Sequence, residues 1–116
     1  MSTTLPLKLD DQGLVPIVVQ DHLTGEIRMF AYATPEAIRL TQETGRATFW
    51  SRSRGELWEK GQTSGNAIEV RHVFADCDAD CLVYSAEPHG PSCHTGAQSC
   101  FFQRLEGAAL EQRTDE

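Results

Sequence analysis

One segment of this chain carries the signals for both ends of an α-helix. Thr34-Pro35 supplies an N-cap hydroxyl and then a proline in the first turn, where its missing N–H costs nothing. Ala37, Ile38, Thr41 and Gln42 follow on one helical face, and Gly45 stands where a left-handed residue ends the helix. Around that segment the chain reads as strands. Residues 15–20 form one, with Pro16 near its start, where a missing donor is tolerated. Asp21-His22-Leu23-Thr24-Gly25 is a hairpin-type connection to a returning strand over 27–32. Further strands are expected over 47–51, 67–75 and 82–87, the last two around an acidic turn. Loops are expected over 52–66 and 88–99, with Phe101 and Phe102 opening a last strand-like segment. The fold class is therefore α+β, mostly antiparallel strands with one clear helix. The division expected is a lead-in over 1–13, one domain over 14–105, and a polar tail over 106–116 that frays from Gly107.

At 116 residues the chain has the size of a single core. Its apolar share is 40%, and no apolar run approaches the ~20 residues that span a bilayer. Met1 to Gln12 lacks the apolar core and cleavage site of a signal peptide, so a soluble, cytoplasmic protein is expected. A net charge of -7 argues against a general nucleic-acid binder, which needs a basic footprint. Yet Arg46, Arg52, Arg54 and Lys60 fall within fifteen residues, against only Glu56 and Glu59. One local basic segment on an acidic protein suits a small anionic ligand better than a polymer.

Cys77, Cys81, Cys93 and Cys100 all lie in the last third. An exported chain would pair such cysteines. In a reducing compartment they serve as metal ligands or catalytic groups, or stay as inert buried thiols. Asp76-Cys77-Asp78-Ala79-Asp80 sets three mutually repelling carboxylates at alternate positions. If the segment is extended, all three share one face and Cys77 takes the other. Oxygen ligands suit a hard ion such as Mg²⁺ and a thiolate suits zinc, while the plainer reading is an exposed acidic turn. Cys93 and Cys100 add two thiols flanking a flexible loop. Three cysteines with an open fourth position make a catalytic zinc arrangement, although C-x6-C is not a standard zinc-ribbon interval. His94 has three readings: fourth ligand, general acid/base, or ordinary loop histidine. An extended segment would also set the Cα atoms of Cys77 and Cys81 about 13 Å apart, which makes Cys81 a small buried apolar residue rather than a ligand.

Residues 50–66 combine cations, hydroxyls, glycines and two tryptophans. Arginine grips phosphate bidentately, hydroxyls and glycine-flanked N–H groups add neutral donors, and tryptophan stacks on bases. A solvated charged hairpin with core tryptophans has the same composition. The P-loop spacing is absent.

The string W-S-R-S-R-G-E-L-W-x-K-G-x-T-S-G-N, followed by D-C-D-x-D and C-H-T-G-x-x-S-C-F, resembles the phosphoribosyl-AMP cyclohydrolase family of histidine biosynthesis. The similarity runs from about residue 14 to 104 and includes Val19-Gln20-Asp21 and Met29-Phe30-Ala31-Tyr32. The family's usual Met-Asn after that tyrosine is Ala33-Thr34 here, and Cys81 has no counterpart among the family's ligands. The resemblance implies a zinc-dependent hydrolase that opens the N1–C6 bond of the adenine ring in 1-(5-phosphoribosyl)-AMP, giving a formimino-carboxamide ribonucleotide. It implies a homodimer with active sites at the subunit interface and one Zn²⁺ and one Mg²⁺ per subunit. Cys77, Cys93 and Cys100 are then the zinc ligands, and Asp76, Asp78 and Asp80 the Mg²⁺ ligands. His94 is the candidate for proton transfer. Trp50, Ser51, Arg52, Ser53, Arg54, Lys60, Thr63 and Ser64 are the candidates for substrate binding. The H-x-E and P-C-x-x-C signatures of the zinc base deaminases are absent.

Overall fold

The computed structural model describes residues 5–112; expectations that fall on 1–4 and 113–116 lie outside the described residues. The elements run β1 (Val15–Asp21), β2 (Ile27–Ala33), α1 (Pro35–Thr44), β3 (Thr48–Ser51), β4 (Glu56–Glu59), β5 (Ile68–Ala75), β6 (Leu82–Pro88), β7 (Gln103–Glu106) and β8 (Ala109–Gln112). The first six strands form one sheet in the order β4-β3-β2-β1-β6-β5, and β7 and β8 form a separate hairpin.

Alternation builds the core. Val15, Ile17 and Val19 of β1 are buried on the same side as Leu82, Tyr84 and Ala86 of β6, with Ile17 opposite Leu82 and Val19 opposite Tyr84. Phe49 lies between the rings of Trp58 and Tyr84, at 5.0 and 5.7 Å. Truncating an aromatic so enclosed costs about 3–5 kcal/mol. Helix α1 covers this face. Its N-cap Thr34 hydroxyl accepts from the Ala37 N–H at 3.1 Å, and Gly45, at φ 75°, donates to the Thr41 carbonyl at 2.9 Å. Ala37, Ile38 and Thr41 are buried, but Gln42 is exposed, contrary to expectation. Thr41 sets that face, because its hydroxyl donates to the Ala37 carbonyl and accepts from the Thr48 N–H, locking α1 to β3. The sheet curls until its edge strand β5 reaches the segment that leads into β3, with the Ala47 N–H on the Ile68 carbonyl and the Val70 N–H on the Gly45 carbonyl.

The mostly antiparallel α+β architecture is as expected: four ladders of the large sheet are antiparallel, and β1 and β6 alone run parallel, so the sheet is mixed. Other expectations are corrected. The stretch 52–66 is not all loop. Leu57 and Trp58 pair opposite Trp50 and Phe49, so apolar cross-strand contacts make β4 despite the charges around it. Residues 109–112 do not fray, since Leu110 pairs with Leu105 across a turn at Gly107, and the strand before them begins at Gln103 rather than at Phe101.

The sheet face away from α1 carries a row of apolar cross-strand neighbours. Phe30 lies opposite Val18, Val18 opposite Val83, and Val83 opposite Phe74. Phe30 and Phe74 are 44% and 56% exposed, far above core values, so this face is uncovered in the single chain. No helix among the described residues is long and apolar enough to cross a membrane.

Candidate metal and anion-binding site

The thiol loop follows β6. Backbone bonds from Ser92 to Gln98 and from Cys93 to Ala97 close it into a narrow turn, with Gly96 at φ 93°. Cys93 is buried, and its sulfur accepts a hydrogen bond from the Thr95 hydroxyl at 3.1 Å. Cys100 donates to the Ser92 carbonyl and lies within hydrogen-bonding reach of Cys93. The Thr95 hydroxyl and N–H hold the Cys93 thiol below its ordinary pKa, helped by Cys100 and the charge of Lys60. Partial burial pushes the Cys100 thiol up, and the neighbouring Cys93 adds to that shift. One favoured thiolate beside a second thiol is a soft donor pair that fits zinc.

What pins this loop is Arg28. Its side chain is 7% exposed. Nε donates to the Gln98 carbonyl at 2.8 Å and Nη2 to the Gly90 carbonyl at 2.9 Å, while Nη1 faces the carboxylates of Asp21 and Glu26 at 3.6 and 3.7 Å. The Arg28 carbonyl accepts from the Cys100 N–H, Gln98 donates to Glu26, and the Ser99 hydroxyl donates to the Ile27 carbonyl. Asp21 is held below its usual range first by the Leu23 N–H, with Thr24 and the Arg28 charge contributing. Thus one buried cation, neutralised by two carboxylates, ties the β1–β2 hairpin to the thiol loop.

The acidic segment is not extended. It is the turn between β5 and β6, with Ala79 at φ 61°, a conformation unfavourable for a residue with a Cβ. Asp76 makes the turn: its Oδ1 accepts from the N–H groups of Asp80 and Cys81, and its own N–H donates to the Cys81 carbonyl. The carboxylates of Asp76, Asp78 and Asp80 nonetheless converge, with one oxygen from each within 4.8 Å of the others. Desolvation raises Asp76, but the Asp80 N–H and its other hydrogen bonds outweigh it and hold the group low. Hydrogen bonding with Asp78 and then Asp76 pushes Asp80 up to about 6. Crowding that pushes the Asp80 carboxyl up to about 6 is relieved by a hard divalent cation, so the donor set fits Mg²⁺. Cys77 is exposed, and Cys81 is half-buried with its thiol raised, first by desolvation. The argument from extended spacing therefore does not apply to Cys77 and Cys81.

Sheet register separates the two clusters. Strand β6 leaves the acidic turn at Leu82 and enters the thiol loop after Pro88, and its seven residues span about 20 Å at ~3.3 Å each. Among the described residues, Cys77 does not join Cys93 and Cys100 in one cluster. The chain brings two of its four thiols, Cys93 and Cys100, together.

The basic segment divides as well. Trp50, Arg52 and Ser53 line an open groove of about 600 Å³ with Phe30, Ala31 and Tyr32. Ser51 caps the turn there, accepting from the Arg54 N–H, and Arg54 faces Glu56. The other end turns towards the thiol loop. The charge of Lys60 acts on both thiols, and Asn66 packs so closely on Gly90 that a Cβ there would collide with its amide. Thr63 and Ser64 are exposed on the connecting turn, the Ser64 hydroxyl accepting from the Asn66 N–H. Trp58 packs on Phe49, so Trp50 is the tryptophan that faces the groove. His94 is exposed beside Cys93. Sequence reasoning missed Arg28, Thr95 and Tyr32. An arginine between Ile27 and Met29 in a strand was the available signal for the first.

The family model described as phosphoribosyl-AMP cyclohydrolase matches residues 29–102, which contain the basic segment, the acidic turn and the thiol loop. The phosphoribosyl-AMP cyclohydrolase of Methanoregula boonei is 47% identical over 109 residues, covering 94% of this chain and 89% of that protein. That of Archaeoglobus fulgidus is 52% identical over 103 residues, covering 89% and 95%. A histidine biosynthesis bifunctional protein of Aquifex aeolicus is 49% identical over 109 residues, covering 93% of this chain and 53% of its own length.

Proposed function

The chain belongs to the phosphoribosyl-AMP cyclohydrolase family, and from that premise we propose a zinc- and Mg²⁺-dependent homodimer that opens the adenine ring of 1-(5-phosphoribosyl)-AMP. The protein is a hydrolase of this kind, acting in histidine biosynthesis. In the proposed reaction water adds at C6 and the N1–C6 bond breaks, with the proton delivered to N1, giving the formimino-carboxamide ribonucleotide.

The observation that carries this reading is the pinned Cys93–Cys100 pair with a lowered thiol. Cys77, Cys93 and Cys100 would hold zinc, whose chemistry when bound is to polarise an oxygen ligand and lower the pKa of water. Asp76, Asp78 and Asp80 would hold Mg²⁺. Since Cys77 lies a strand length from the other thiols, the third thiolate comes from a second copy. The uncovered row Phe30–Val18–Val83–Phe74 supports such a pairing, because apolar surface of this kind is what homodimers bury.

The chain's own residues do the rest. His94, exposed next to Cys93, takes the proton from the attacking water and returns it to the departing N1. Arg52 and Arg54, with the Ser51 and Ser53 hydroxyls, receive phosphate on the groove side, and Lys60, Thr63 and Ser64 do so on the thiol side. Trp50 offers a face to the ring. The test is turnover of phosphoribosyl-AMP followed by absorbance before and after chelation. Activity lost with zinc and restored by zinc is expected; turnover that survives complete metal removal would overturn the metal-dependent reading.

A further inference from the structure

In a chain rich in carboxylates, arginines find acidic partners. Among the described residues Arg28, Arg46, Arg54, Arg71 and Arg104 all face carboxylates. Arg52 has none. Its guanidinium carbon instead lies 4.0 Å from the centre of the Tyr32 ring, on the wall of the groove that Trp50 and Ser53 also line. Stacking uses the face of the guanidinium and leaves its in-plane N–H donors free, which is the arrangement a phosphate needs.

The ring is itself held. Phe30 meets Tyr32 edge-on, with centroids 5.3 Å apart and planes at 90°. Tyr32 pairs with Trp50 across β2 and β3, so the sheet fixes its height relative to the turn that carries Arg52. An exposed arginine ordinarily loses rotamer freedom on binding a ligand; one already stacked has less to lose.

We infer that Tyr32 is a positioning residue, a rigid shelf that presents Arg52 to a phosphate monoester of the substrate. The inference rests on the proposed cyclohydrolase reading and selects Arg52, rather than Arg54 or Lys60, as the pre-set phosphate anchor of the basic segment. Arg54 is engaged by Glu56, and the charge of Lys60 acts at the thiols.

Two probes test it: inorganic phosphate as a competitive inhibitor and phosphoribosyl-AMP as substrate. Tyr32→Leu should raise KM and weaken phosphate inhibition by the same factor, roughly two- to fivefold, while kcat holds. Tyr32→Phe, which keeps the ring face, should restore both. Arg52→Lys keeps the charge but loses the planar stack and should raise KM at least as much. If Tyr32→Leu changes neither constant while Arg52→Lys raises both, the shelf is wrong and the anchor stands. If neither variant changes them, the anchor is wrong too. Should Tyr32→Leu not fold, unchanged phosphate inhibition in Arg52→Lys overturns the inference alone. Failure of the underlying reading looks different: wild-type protein that does not turn over phosphoribosyl-AMP yet still binds phosphate through Arg52.

Discussion

The thiol loop and the acidic turn stand at opposite ends of β6, and they are held by opposite means. The thiol loop is anchored from outside. Arg28, Glu26, Ser99 and the Cys100 N–H bond it to the β1–β2 hairpin, seventy residues away in sequence. The acidic turn is anchored from within, by Asp76 bonding to the backbone four and five residues on; among the described residues, the backbone bond reaching it from elsewhere is the Lys8 N–H on the Ala79 carbonyl. A soft site must hold sulfur atoms at fixed short distances, and distant tethers supply that rigidity. A hard site with flexible oxygen ligands tolerates a self-contained turn.

The largest test mixes the two ends. Cys77→Ser and Cys93→Ser should each lose zinc and activity, while Cys81→Ser keeps both. Refolding the two dead variants together should restore about a quarter of wild-type activity, because half the dimers are mixed and one of their two sites is whole. No recovery would break the assignment of Cys77 to a neighbouring subunit.

The next acts on the thiol loop alone. His94→Ala should lower kcat by roughly 10²–10⁴ with zinc content near wild type. Parallel loss of the metal would make His94 a ligand rather than a proton carrier.

Arg28→Met removes the outside tether and the buried positive charge that faces Asp21 and Glu26, so it should cost about 3 kcal/mol in urea unfolding. The matching change in the acidic turn, Asp78→Asn, should stay within about 0.5 kcal/mol because that carboxylate is exposed and repelled by its neighbours. It should instead reduce the Mg²⁺ dependence of turnover while zinc remains bound. Equal stability losses in the two variants would erase the contrast between external and internal anchoring.

Legibility in the sequence followed the same divide. The helix was readable because Thr34, Pro35 and Gly45 act on their own neighbours, within one turn. The convergence of three aspartates was also readable, although it arises from a turn and not from strand alternation. Gln42 was misread because Thr41 chose the buried face through a bond to Thr48. Strand β4 was hidden in a charged segment, since its reason to exist is Phe49 and Trp50 on the next strand.

The sequence by itself determined the donor chemistry: which residues are thiols, carboxylates and cations, and that they fall in three short segments. Side-chain type and local spacing are enough for that. Only the tertiary structure decided that β6 lies parallel to β1, that Cys93 and Cys100 meet while Cys77 stands a strand length away, and that Arg52 rests on Tyr32 without a carboxylate. Those facts depend on which strands become neighbours. Burial of Val15, Ile17, Val19, Leu82 and Tyr84 across the whole chain selects that pairing, and it leaves no mark on any one segment.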